Sequence, residues 1–166
     1  MEIFEFEIPA HTTRREWAVY IIVARHKNTN YKLLYVGKVG DNRDGCNPII
    51  SRIGNHFSHN KIHSQMRNKI SETTLFDYKV YYATFGQYNS QNQKTDKAKV
   101  NELERQLNRC IQRNLEKVAN VEFLNPYKGV GVSKKKENER QQLLTENERK
   151  KLKGLADRAT AYKHSL

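Results

Sequence analysis

Cysteine is scarce in this chain. Cys46 and Cys110 are the only two in 166 residues. They show neither metal-ligand spacing nor a disulfide framework, which fits a reducing, intracellular compartment. Long apolar runs are missing as well. No stretch approaches the ~18 apolar residues of a membrane span, and the N-terminus lacks a signal-peptide pattern. A soluble, cytoplasmic protein with no membrane partner is expected. Internal repeats and extended low-complexity tracts are absent. Acidic residues are in short supply: 18 Asp and Glu stand against 30 Lys and Arg, a formal net charge of +12. An excess of that size points to a polyanionic partner, most often nucleic acid.

The chain is 37% apolar and 29% charged, with nine tyrosines. That supports one modest core under a well-solvated surface. Its length fits one domain of ~100–200 residues with an appendage. The divisions expected are an N-terminal extension over 1–16, a core over 17–127 and a basic helical extension over 128–166.

In chain order, Phe4, Phe6 and Ile8 alternate with Glu5 and Glu7, which predicts an N-terminal strand ended by Pro9. Trp17 to Ala24 is apolar on both faces, as in a strand buried on both sides. After the turn formers Asn28, Thr29 and Asn30, a second strand over Leu33 to Lys38 pairs back as an antiparallel hairpin. The loop from Val39 to Pro48 is irregular. Ile49 to Ser58 reads as a helix, with Arg52 and His56 emerging together because they are four residues apart. A second helix is expected over Ile62 to Ile70. Thr73 to Phe85 is a cleanly alternating strand. A helix N-capped by Asp96 is predicted from Lys97 to Leu115, with Val100, Leu103, Leu107 and Cys110 or Ile111 along its apolar stripe. Thr145 and Glu148 form a capping-box pattern that opens a final helix.

Hydrolysing a phosphodiester needs an activated water, stabilisation of charge on the phosphoryl group and help for the leaving oxygen. A tyrosine serves as base where nearby cations lower its pKa from ~10. Arginine binds phosphate oxygens bidentately. A single carboxylate holds a Mg²⁺ that keeps most of its waters. Tyr35, Arg52, His56 and a glutamate on the long helix make up such a set.

Ala18-Val19-Tyr20-Ile21-Ile22, then Tyr35-Val36-Gly37-Lys38, then Arg52-x-x-x-His56, then a helix glutamate: this order resembles the GIY-YIG nuclease family, and most of all a small type II restriction endonuclease. The resemblance spans about Trp17 to Tyr127. It implies an α+β fold, a small three-stranded antiparallel sheet flanked by helices, here with an N-terminal strand and a C-terminal helical basic tail. It also implies hydrolysis at a single Mg²⁺ or Mn²⁺ site, double-stranded DNA as partner, and a homodimer where both strands of a symmetric site are cut. By the same resemblance Tyr20 positions the water, Tyr35 is the general base, Arg52 binds the scissile phosphate and His56 assists Tyr35 or the phosphate. Glu104, flanked by Leu103 and Leu107, is the metal ligand, with Glu102 the second choice. Ala18 replaces the family's first glycine. The family's asparagine is either Asn108 or Asn114. A structure-specific or nonspecific repair or defence nuclease, and a non-catalytic nucleic-acid-binding module, are the alternative functions.

Taken singly, each of these residues has an ordinary explanation. A tyrosine in an apolar strand is usually core, and a helix arginine or glutamate is usually solvated. His56, His59 and His63 have no cysteine partner to make a zinc site with. The joint occurrence carries the reading. Lys38, Arg43, Lys61 and the unbroken cluster Lys134-Lys135-Lys136 are expected to contact DNA, the lysine cluster through salt-sensitive, sequence-independent attraction.

Overall fold

A computed structural model describes residues 2–40, 46–60, 62–116, 118–125 and 133–161. Arg43 and Lys61, expected as DNA contacts, lie outside the described residues. The fold is α+β, a four-stranded mixed sheet flanked by helices. The strands are β1 (Glu16–His26), β2 (Lys32–Val39), β3 (Phe76–Gln87) and β4 (Val121–Phe123). The helices are α1 (Ile49–Phe57), α2 (Gln65–Lys69), α3 (Gln93–Leu115), α4 (Lys134–Gln141) and α5 (Glu146–Thr160).

Strand order is β3-β1-β2-β4. The expected antiparallel trio is present, with β1 in the middle. The expected count of three strands is corrected by β4, which lies parallel to β2 through Lys32↔Val121, Leu33↔Glu122 and Leu34↔Phe123. Three residues are too few to show a period of two, so β4 carries no signal in the sequence.

Because β1 is central, both its faces are covered, which accounts for its unbroken apolar run. One face, with Val19, Ile21, Val23, Leu34 and Val36, packs on Leu103, Leu107 and Ile111 of α3 and Leu152 and Ala156 of α5. The other face, with Tyr20, Ile22, Leu33 and Tyr35, packs on Ile49 of α1 and Met66 of α2. The C-terminal helix therefore shares the core of residues 17–127. Thr145 and Glu148 form the capping box at its start, as the sequence pattern indicates.

Three further elements differ from the sequence expectation. Residues 2–9 form no strand. Ile3, Phe4 and Phe6 are 83–89% exposed, and the first regular element is a 3-10 turn at Ala10–Thr13. Alternation marks a face that can be buried, but a strand also needs a ladder partner, and the fold offers this segment none. The long helix starts at Gln93 rather than after Asp96. A 3-10 turn at Ser90–Asn92 feeds directly into it, leaving Asp96 inside its first turn. The second helix is shorter than expected, with residues 62–64 outside it. Among the described residues no helix is long and apolar enough to cross a membrane.

Candidate active site

The hairpin register places Tyr20 directly opposite Gly37. The two side-chain positions share a sheet face, and the Tyr20 ring fills the space over the glycine. A Cβ at Gly37 would lie 2.4 Å from both Cζ and Oη of Tyr20. Tyr35 lies two residues back on the same face of β2. Helix α1 packs over this face, and Arg52 and His56, one turn apart, both reach the Tyr20 hydroxyl. His56 Nε2 is 2.6 Å from Tyr20 Oη, and Arg52 Nε donates to the same oxygen at 3.2 Å. The edge of His56 packs against Tyr35, with ring centroids 4.9 Å apart and planes inclined by 67°. Four of the five expected site residues thus form one contiguous cluster.

The cluster is layered. Tyr20 and His56 have no exposed surface, while Tyr35 keeps 9%. Arg52 is half-buried above them. Burial pushes the Tyr20 phenol well above the ordinary tyrosine range, and Arg52 only partly opposes it. Burial raises Tyr35 too, again against Arg52. The sequence predicts a tyrosine lowered by cations; in the folded cluster desolvation outweighs the guanidinium. For Arg52, burial favours the neutral form, but Tyr20, Tyr35 and Glu104 outweigh it and hold the group charged. Burial, with help from Arg52, lowers His56 to about 3. His56 is therefore neutral. Arginine only donates, so among the described residues Nε2 is the sole acceptor for the Tyr20 proton. The remaining imidazole proton sits on Nδ1, which is buried without a partner.

This buried histidine has a measurable consequence. Unfolded, it titrates at its ordinary value of 6.5; folded, it refuses a proton until about pH 3. The unfolded chain thus binds the extra proton, and stability falls as pH drops below 6.5, by up to ~1.4 kcal/mol per pH unit from this group. His56→Gln removes that titration. In urea denaturation at pH 7, 6 and 5, the stability gap between the two proteins should narrow as pH falls. Parallel pH slopes would contradict a neutral buried His56.

Glu104 approaches from the other side of the sheet. It lies on α3, and its Oε2 accepts from Lys38 Nζ at 2.8 Å. Strand β4 covers β2 only as far as Leu34, so among the described residues the edge of β2 beyond it has no strand neighbour. Glu104 sits close enough around this edge to act electrostatically on Tyr20, Tyr35 and Arg52. Asn125 caps the same edge: Val36 N donates to its Oδ1 at 2.7 Å, and its Nδ2 donates to Val36 O at 2.8 Å. Its amide replaces a missing strand partner. A hollow of about 270 Å³ results, lined by Lys38, Asn101, Glu104, Arg105, Asn108 and Asn125.

The remaining expected residues separate cleanly. Glu102 is 2% exposed. It accepts from Arg105 and from Gln106 Nε2, and turns toward Glu137 and Arg140 of α4. Asn114 bonds Asp157 and Thr160, tying α3 to α5. Asn108 does reach the hollow: its Nδ2 donates to Glu104 O at 2.8 Å, and its Oδ1 is buried with no partner. Lys134, Lys135 and Lys136 are exposed at the start of α4, away from the cluster's contacts. Asn101 and Asn125 escape a reading of the sequence. The signal for Asn125 is Pro126, since a residue before proline is held extended.

Glu104 is the one carboxylate among the described residues that line this hollow. Lys38 already presents a positive charge to Glu104 Oε2, and Asn108, whose Oδ1 is buried without a partner, is among the residues that line the same hollow. Among the described residues no three His, Cys, Asp or Glu side chains gather. A cation here would have Glu104 as its one carboxylate, with water completing its shell, a mode that Mg²⁺ commonly adopts. Compared with protein-family models, curated proteins and solved structures, the chain matches none.

Proposed function

We propose that this protein is a divalent-metal-dependent endonuclease of the GIY-YIG type that hydrolyses DNA phosphodiester bonds. The observation that carries this reading is the joint geometry around β2. Tyr35 and Arg52 stand over a buried Tyr20–His56 pair on one face, and Glu104 comes around the open edge from the other. The net charge of +12 suits a polyanionic substrate.

In this reading the Arg52 guanidinium binds a non-bridging phosphate oxygen. Tyr20 holds Arg52 in place by accepting from Nε, and His56 fixes the phenol by accepting its proton. Tyr20 and His56 are positioning residues, since neither is exposed. Tyr35, in its phenolate form, takes the proton from the attacking water on Oη as the new P–O bond forms and the leaving oxygen departs with its electron pair. A divalent ion on Glu104, when bound, supplies positive charge for the phosphoryl and leaving oxygens. Tyr35 is protonated at neutral pH in the resting site, so the rate should rise with pH. Tyr35→Phe should lose about 100-fold or more in cleavage rate and flatten that pH profile. Full activity in the variant would remove Tyr35 as base.

We further propose that cutting is sequence-specific, as in a type II restriction enzyme acting as a homodimer. The Arg52-x-x-x-His56 pair supports this assignment. Phage or genomic DNA incubated with Mg²⁺, followed by sequencing of the ends, tests both levels. A single sequence at the ends supports restriction, and scattered ends support a nonspecific or repair nuclease. No cleavage with either Mg²⁺ or Mn²⁺ rejects the enzyme.

A further inference from the structure

A cationic hollow lies outside the cluster just described. It wraps around the free edge of β3 and has a volume of about 520 Å³. Its lining includes Arg14, Tyr82, Lys151, Gly154 and Arg158, with His11 over Tyr82 and one carboxylate, Glu16. Three formal positive charges therefore face one negative charge. Tyr82 is directly opposite Tyr20 in the β1–β3 ladder, so the trough begins on the face that carries Tyr20 and Tyr35. From there it continues to the exposed side of α5.

Two features of this trough go unexplained by folding. Gly154 sits mid-helix in α5, where glycine is destabilising relative to alanine. Nothing lies within 4 Å of a Cβ built there, and its backbone needs no positive φ. The fold does not require that glycine, and a long side chain there would project into the trough. The Tyr82 hydroxyl, on the trough wall beneath the stacked His11 ring, is buried with no hydrogen-bond partner. Lys151 is anchored by its bond to Thr84 O at 2.8 Å, so its charge is held at the strand edge.

We infer that this trough is a second phosphate-binding subsite, gripping the DNA backbone away from the scissile bond. This rests on the nuclease reading for its substrate. Two strand spacings of ~4.8 Å and two residues of ~3.4 Å along the strand separate Tyr82 from Tyr35, roughly 12 Å in all. That separation places a different phosphate of the same duplex, not the scissile one, over the trough. Arg14, Lys151 and Arg158 supply sequence-independent attraction, and Gly154 leaves room for the backbone to enter.

The test is binding without chemistry. A fluorescent duplex is titrated with the full chain in EDTA, at several chloride concentrations. Gly154→Glu removes no existing side-chain interaction and places a carboxylate in the trough. It should weaken binding about tenfold or more at low salt. It should also make the slope of log K against log salt shallower by about 0.9 for each phosphate that is no longer neutralised. Arg158→Ala, at an exposed side chain, should shift both in the same direction, whereas Gly154→Ala should leave binding unchanged. Wild-type affinity and slope in Gly154→Glu would overturn the subsite. Inorganic phosphate distinguishes a small-anion site. If it raises the melting temperature of wild type but not of Gly154→Glu, and duplex binding ignores the substitution, the backbone assignment is wrong. Because EDTA withholds any metal, the result stands apart from catalysis. A protein that never cuts can still show the trough, and a protein that cuts can lack it.

Discussion

Glu104→Gln should abolish DNA cleavage, with a loss of about 10³-fold or more, because it removes the one carboxylate among the described residues that lines the hollow at the edge of β2. The substitution should barely affect folding. Glu104 and Lys38 keep 25% and 16% of their side-chain surface, so their ion pair is solvent-screened and contributes no more than ~1 kcal/mol. Glutamine keeps the shape and can still accept from Lys38. Duplex affinity in EDTA should hold or tighten, since a negative charge leaves a phosphate-facing surface. Three measurements on one preparation check this: cleavage with Mg²⁺, melting temperature and duplex binding. Wild-type cleavage by Glu104→Gln would move the metal elsewhere. Glu102→Gln serves as the contrast. Its carboxylate is buried against Arg105 and Gln106, so its loss should appear as lower stability.

Gly37→Ala should be strongly destabilising. The added carbon would sit 2.4 Å from Tyr20 Cζ and Oη, a separation that real Cβ atoms essentially never show. The ring has little room to retreat, because His56 Nε2 and Arg52 Nε already hold its hydroxyl. Overpacking of this kind costs ~3 kcal/mol, at the upper end of the usual range. For a chain of this size that lowers the melting temperature by about 6–12 °C. Cleavage should fall further than stability alone accounts for, since displacing Tyr20 misplaces Arg52. The double variant Tyr20→Phe/Gly37→Ala should cost less than the sum of its parts, because removing Oη relieves one of the three contacts under 3.0 Å. Additive losses would mean that the two residues do not meet.

Gly37 also shows how a short motif acquires a physical meaning. In the sequence it is one letter of a Tyr-Val-Gly triplet. In the fold it is the space that lets Tyr20 lie flat across the neighbouring strand, seventeen residues away in the chain. The helix pair Arg52 and His56 is legible beforehand, because residues four apart in a helix share a face wherever the helix docks. What they face is not. Glu102 and Glu104 show the converse. Two residues apart on one helix, they point to nearly opposite sides. Flanking leucines favour Glu104, but only the docking of α3 on the sheet turns it toward Lys38 and sends Glu102 toward α4.

By itself, the sequence determined the features that repeat over short distances. These are the β1–β2 hairpin, the alternation of β3, the apolar stripe of α3, the capping box at Thr145 and the strong positive charge. Each is set by local periodicity or composition, which backbone geometry converts directly into structure. The tertiary structure alone decided the rest. It added β4 in parallel beside β2, drew α5 into the core, left residues 2–9 without a ladder partner and brought Asn125 to the edge of β2. It also shaped the basic trough around Tyr82 and Gly154. Those outcomes depend on which surfaces meet across long stretches of chain, and pairwise contact between distant segments leaves no period in the sequence to read.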